Sequence, residues 1–131
     1  MYTSSHDKTI KVWNGQDGTL VHTLSGHAHW VNHLALSTDF VLRTSYHDHT
    51  GKVPATQEEK LAKAKSRFEK AATINGEIVE RLATASEDCT IFLWTPLSSN
   101  KPVTRMTGHQ KQINQVCFSP DGNLLASAAW D

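Results

Sequence analysis

The chain has 131 residues, enough for one small domain, and its 13 Lys+Arg balance 13 Asp+Glu, so no whole-chain field draws it to nucleic acid or to an anionic membrane. A hydrophobic share of 38% is too high for simple disorder, no apolar run approaches the roughly 20 residues that span a bilayer, and the opening MYTSSHDKTIKVW lacks the basic-then-apolar order of a secretory signal. Two cysteines, Cys89 and Cys117, make no disulfide framework and favour a reducing compartment.

Period-2 alternation marks the strands in chain order. A run ending at Trp13 comes first, then Leu20–Leu24, which leads into Gly26-His27, then WVNHLALS from Trp30. VLRTSYHD (Val41–Asp48) has the form of a strand and its turn; it either extends the sheet or begins an excursion. Gln57–Ala72 reads as a helix, with Thr56 as N-cap, Glu58 and Glu59 at the favourable dipole end and a stripe of Leu61, Ala64 and Phe68. Asn75-Gly76 ends it. Leu82–Ser86, a run ending at Trp94, and Val103–Met106 follow. After Gly108-His109 come Ile113–Phe118, the turn SPDGN (Ser119–Asn123) and Leu124–Ala128.

The chain repeats itself. SSHDKTIKVW (Ser4–Trp13) and ASEDCTIFLW (Ala85–Trp94) nearly superimpose, and a third copy begins at ASAAWD. Asp88 and Asp131 are 43 residues apart, within the roughly 40–45 of a WD-repeat propeller blade. Asp7 and Asp88 are 81 apart yet enclose one Gly-His pair, so an excess of 38 residues is inserted between Arg43 and Arg81. Only Asp88 is followed by T-I-x-x-W, which assigns the blade's second strand to Leu82–Ser86 rather than to Val41–Ser45. The expected architecture is therefore all-β: a WD-repeat β-propeller fragment of four-stranded antiparallel blades (strands a to d from the inside out) with one helical insertion. Residues 1–19 end a partial blade with strands b and c, 20–107 form a blade-forming segment whose insertion occupies about 44–80, and 108–131 start the next blade. One complete blade between two partial ones implies open edges.

This spacing resembles the WD-repeat family, whose blades are commonly pinned by a His–Ser/Thr–Asp–Trp hydrogen-bond chain. The resemblance assigns that chain to His27, Thr84, Asp88 and Trp94; to Thr3, Asp7 and Trp13, without a His; and to His109, Ser127 and Asp131, without a Trp. The group has the composition of a Ser-His-Asp triad, but it recurs in every blade, and repetition argues for a scaffold with no catalytic residues. His27, His29 and His33 share strand parity and invite a zinc reading; no Cys or carboxylate clusters with them, so no metal is expected. Cys117 lies on an apolar strand and reads as core.

The stretches GHAHWVNHLALSTDFVLRTS and TRMTGHQKQINQV, with the helical insertion between them, look like the Notchless family of WD-repeat ribosome-assembly factors. That resemblance implies a non-catalytic scaffold in large ribosomal subunit biogenesis, nuclear and nucleolar. It implies docking on pre-ribosomal large-subunit proteins and on rRNA, and a link to the AAA ATPase midasin through a ubiquitin-like domain missing from this chain. No cofactor, membrane or small-molecule substrate is implied. The alternative is a generic WD-repeat adaptor in signalling or ubiquitin-ligase substrate recognition. Loops on a rigid scaffold commonly carry recognition, which makes His29, Trp30, Glu87, Gln110 and Gln112 candidate partner-binding residues, with Trp30 either a hot spot or packed at the blade edge. On the helix, Lys60, Lys63, Arg67 and Lys70 form either a solvated face or a basic contact to RNA or an acidic partner, with the apolar stripe on the propeller rim and the basic side outward.

Overall fold

The computed structural model describes residues 1–131. Three antiparallel sheets follow one another, as the propeller reading requires. The first holds β1 (Tyr2–Ser4), β2 (Thr9–Trp13) and β3 (Leu20–Ser25). The second is a complete four-stranded blade. It starts with β4 (Val31–Leu36) and, after the insertion, continues through β7 (Leu82–Ser86), β8 (Ile91–Trp94) and β9 (Thr104–Met106). The third pairs β10 (Ile113–Phe118) with β11 (Leu125–Ala129). The insertion contributes α1 (Asp39–Thr44), α2 (Gln57–Ala72) and the short hairpin β5 (Thr73–Ile74) and β6 (Glu77–Ile78). Leu20–Ser25, which a division at residue 20 places in the central segment, pairs with β2 and completes the first sheet. The chain passes from sheet to sheet in the Gly-His loops.

Strand alternation builds the packing between sheets. β7 is buried along its whole length. Its Leu82 joins Ile10, Val12, Leu24, Val31, Phe92 and Trp94 in a core towards the first sheet. Its opposite face offers only Ala83 and Ala85, which admit Ile91, Ile113 and Val116 at close range towards the third sheet. This explains why Leu82–Ser86 and not Val41–Ser45 is the second strand. In the register of Ala83 and Ala85 the competing segment would place Arg43 and Ser45 in that tight apolar seam, an unpaired buried charge that the core cannot accept. Val41–Ser45 instead begins the excursion, mostly as α1. The sheet is left at Ser37, earlier than the expected start near residue 44.

Chain departure and return are clamped together. Ser37 N–H donates to the Arg81 carbonyl (2.9 Å) and Arg81 N–H to Ser37 Oγ (3.1 Å). The two residues at the return then tie three sheets. Glu80 accepts from Tyr2 Oη (2.8 Å) in the first sheet and from Thr38 Oγ1 (2.6 Å). Arg81 donates to the Gly122 carbonyl (2.6 Å) and lies over Phe118, both in the third sheet's hairpin. Burial first, then the Glu80 hydrogen bond and charge, push the Tyr2 phenol well above its ordinary range.

The helix occupies the expected residues, and Thr56 and Glu59 form a reciprocal capping box. Its orientation differs from the expected one. Leu61 is 70% exposed, Ala64 and Phe68 are half-buried, Ala71 and Ala72 are buried, and Lys60, Lys63 and Arg67 turn inward onto the 44–52 segment while Lys65 and Lys70 stay exposed. Lys60 lies over Tyr46, Lys63 pairs with Asp48 (2.8 Å) and donates to the Lys52 carbonyl, and Arg67 donates to the Ser45 carbonyl and to Thr44 Oγ1. The physical reason is the irregular 44–52 backbone, whose carbonyls have no ladder partner and draw donors from the helix. Asn75 (φ 52°) and Gly76 (φ 86°) do more than end the helix: both are left-handed, as a two-residue type I′ hairpin turn demands.

Gly122 (φ 73°) sits where a Cβ would meet the Ala71 carbonyl at 2.9 Å and the Ser37 carbonyl at 3.1 Å. Gly122→Ala should therefore lower the protein's stability by about 1–3 kcal/mol in denaturant titration. Gly15→Ala, with open space around it, should leave the midpoint in place; equal midpoints for the two variants would contradict this docking.

Candidate functional site

The sheet ends away from the insertion carry the b–c turns and the d–a loops, and a hydrogen-bond chain fixes them in the central blade. Trp94 Nε1–H donates to Thr84 Oγ1 (2.9 Å), the Thr84 hydroxyl lies 2.9 Å from His27 Nε2, and His27 Nδ1 lies 2.9 Å from Asp88 Oδ2. With His27 neutral and protonated at Nδ1, every group in this chain donates or accepts in turn. Asp88 also accepts from Ala28 N–H (2.8 Å) and, through its other oxygen, from Thr90 N–H (3.0 Å) and Thr90 Oγ1 (2.5 Å). One carboxylate thus closes both the b–c turn and the d–a loop.

The flanking sheets carry incomplete versions. Trp13 Nε1–H donates to Thr3 Oγ1 (2.9 Å), and Asp7 accepts from Thr9 N–H and Oγ1. His109 lies 3.0 Å from Asp131 and 2.8 Å from Ser127 Oγ, and Gln110 N–H donates to Asp131 (2.7 Å). The Asp-x-Thr turn also appears at Asp17–Thr19 and, inside the insertion, at Asp48–Thr50. Its recurrence at Asp48 is why Val41–Asp48 imitates a strand and turn in sequence.

Burial pushes the His27 imidazole below its ordinary value, against the opposing pull of Asp88. Burial alone would raise the Asp88 carboxyl, but hydrogen bonds from Thr90, Ala28 and His27 together hold it below the usual range. Thr84 is 0% exposed, so the hydroxyl in the position of a nucleophile reaches no substrate. The role this geometry supports for the hydrogen-bond chain is to hold the loops.

Above it lies an exposed cluster. Trp30, 42% exposed, stacks on His6 of the first sheet (4.2 Å between centroids, 12° between planes) and leans against His29. His29 Nδ1 pairs with Glu87 Oε2 (3.0 Å), and Glu87 N–H donates to the Trp30 carbonyl (3.0 Å). Glu87 is therefore half-buried and engaged, not a free turn tip. Gln110, Lys111 and Gln112 are exposed on the next d–a loop. The histidines weighed as zinc ligands go separate ways: His27 into its chain, His29 to Glu87, and His33, whose Nδ1 accepts from Val116 N–H (3.4 Å). Sequence reasoning missed Tyr2, Ser37, Thr38, Glu80, Arg81 and Gly122, because their partners are far away in sequence and no periodicity links them.

These features define a WD-repeat blade with its neighbours. The WD domain, G-beta repeat family matches residues 1–14, 18–53 and 100–131, more than half of the chain, and the chain belongs to it. Within that family its similarity runs to the Notchless group. Ribosome assembly protein 4 of Saccharomyces cerevisiae is 54% identical over 114 residues, 87% of this chain and 22% of that protein. Its namesake in Chaetomium thermophilum is 59% identical over 84 residues, 63% of this chain and 16% of that protein. Protein Notchless of Drosophila melanogaster is 45% identical over 129 residues, 95% of this chain and 26% of that protein. The chain thus spans a quarter or less of the length of most of these relatives, about a quarter in the fly protein.

Two outcomes follow from the hydrogen-bond chain. Asp88→Ala should cost about 1–3 kcal/mol by stranding buried partners, whereas Glu87→Ala, which removes one partly exposed contact to His29, should cost at most about 1 kcal/mol; similar midpoints would refute the assignment. His27, depressed in the folded state, contributes stability that is complete above its unfolded value of about 6.5 and is lost as pH falls through its folded value. The midpoint of the native protein should therefore fall more steeply between pH 7.5 and 5 than that of His27→Gln, and parallel slopes would contradict the neutral imidazole.

Proposed function

We propose that this chain is part of a non-catalytic WD-repeat scaffold that acts in assembly of the large ribosomal subunit, in the nucleus and nucleolus. The observation that carries the reading is the match to the yeast protein named for ribosome assembly: at 87% of the chain it spans the insertion whole, with sheets on both sides. In this reading the propeller docks on pre-ribosomal large-subunit proteins and rRNA, and a ubiquitin-like domain elsewhere in the protein links it to a midasin-type AAA ATPase. The blade division at residues 20 and 108 belongs to the same proposal, with the first boundary adjusted to the Gly26-His27 loop.

The docking face is the one carrying His29, Trp30, Glu87, Gln110 and Gln112, where the buried hydrogen-bond chain holds the loops rigid and an aromatic stack spans two sheets. Of Lys60, Lys63, Arg67 and Lys70, the first three hold the 44–52 segment, Arg67 with N–H groups to spare, and Lys70 is exposed to a partner. The intact protein should sediment with large-subunit precursors in a sucrose gradient; finding it only at the top, in cells that accumulate such precursors, would refute the reading. Trp30→Ala should weaken that association about ten-fold or more, as loss of an aromatic anchor does, without changing the denaturation midpoint by more than about 1 kcal/mol. Unchanged co-sedimentation would remove Trp30 from the interface.

A further inference from the structure

A cavity of about 850 Å³ opens between the insertion and the third sheet's Ser119–Asn123 turn. Its wall carries Phe40 from α1, His47 and His49 from the loop that follows, and Arg67 and Lys70 from α2. The carboxylates at the wall are already satisfied. Asp48 accepts from Thr50 and pairs with Lys63, while Asp121 accepts from Ser119 Oγ and from Asn123 within its own turn. The donors are not. The Lys70 ammonium and the His47 and His49 imidazoles pair with no carboxylate, and all three side chains are exposed. Arg67 spends two of its five N–H groups on Ser45 and Thr44. Lys70 and Arg67 thus outweigh Asp121, the one wall carboxylate without a cationic partner, and the wall favours an anion, while Phe40, 44% exposed, offers a flat apolar face beside it.

We propose that this cavity takes one nucleotide unit of single-stranded RNA, its phosphate against Lys70, Arg67 and the two imidazoles and its base on Phe40. The volume suits a ligand of this size, since small-molecule sites commonly measure about 300–1,000 Å³. An inorganic anion would leave Phe40 unused, and an acidic peptide supplies charge without a flat face. Stacking on an aromatic side chain and phosphate contact to a cation are the two terms by which single strands are held without sequence readout. The inference rests on the ribosome-assembly reading only in that a pre-ribosomal particle offers such RNA. It places the RNA contact in a cavity lined by the helix and the neighbouring turn, not along an outward basic helix face.

The test is fluorescence anisotropy of the intact protein with a fluorescein-labelled oligoadenylate eight-mer across a salt series, with an oligoglutamate peptide as competitor. Phe40→Ala should weaken binding about five-fold or more, and Lys70→Gln should weaken it and flatten the logarithmic salt slope by about one. Lys65→Gln, on the same helix but outside the cavity, should match the unmodified protein, and Lys70→Arg should retain affinity. No binding of the eight-mer, equal losses for Lys65→Gln and Lys70→Gln, or displacement by oligoglutamate at lower concentration than by unlabelled RNA would each overturn the proposal. Sedimentation of the same variants separates the two readings. Precursor association that survives both Phe40→Ala and Lys70→Gln, with no eight-mer binding, refutes the cavity alone. Eight-mer binding lost in these variants, in a protein that never meets large-subunit precursors, upholds the cavity and refutes the assembly role.

Discussion

Everything in this structure depends on β4 finding β7 across residues 38–80. The blade is a meander in which each strand normally meets its successor after a short turn, and here the first pairing must be made over a far longer loop. Chain entropy permits this, because closure cost grows only logarithmically with loop length. What fixes the closure is the reciprocal pair between Ser37 and Arg81. From that pinch Glu80 reaches back to Tyr2 and Arg81 reaches forward to Gly122. The same two residues that end the excursion therefore set the spacing of three sheets at that end of the molecule.

At the opposite end a different chemistry performs the equivalent task. A buried imidazole stays neutral between a carboxylate and a hydroxyl, and that chain ties the loop after the first sheet to the b–c turn of the central blade. The two ends share no residue of these two networks and lie at opposite ends of the strand ladders that join them. The insertion end and the aromatic end are therefore free to serve separate contacts, and a change at one need not disturb the other.

Much of this was legible in the sequence because the relevant physics is local. Asp-x-Thr turns, period-2 strands, the Thr56 N-cap and the repeat interval all involve local signals along the chain. The duplication of b-strand form at Val41–Asp48 and Arg81–Asp88 was legible too, and T-I-x-x-W resolved it correctly; the deeper reason, the seam that tolerates Ala83 but not Arg43, needed the third sheet. The facing of α2 was misread because its stripe is narrow. Leu61 points to solvent, while Lys63 and Arg67 find acceptors on a loop whose path no sequence pattern encodes. The Glu80–Arg81 clasp was missed for the same reason: its partners lie 78 and 41 residues away.

The close seat of Gly122 beneath Ala71 and Ser37 has a consequence for how such a molecule can grow. The insertion occupies the space above its neighbour's a–b turn as well as above its own blade. That turn, SPDGN, is held to five residues and to a glycine by the backbone pressed against it. A long a–b excursion in this blade thus leaves little room over the a–b turn of the blade that follows.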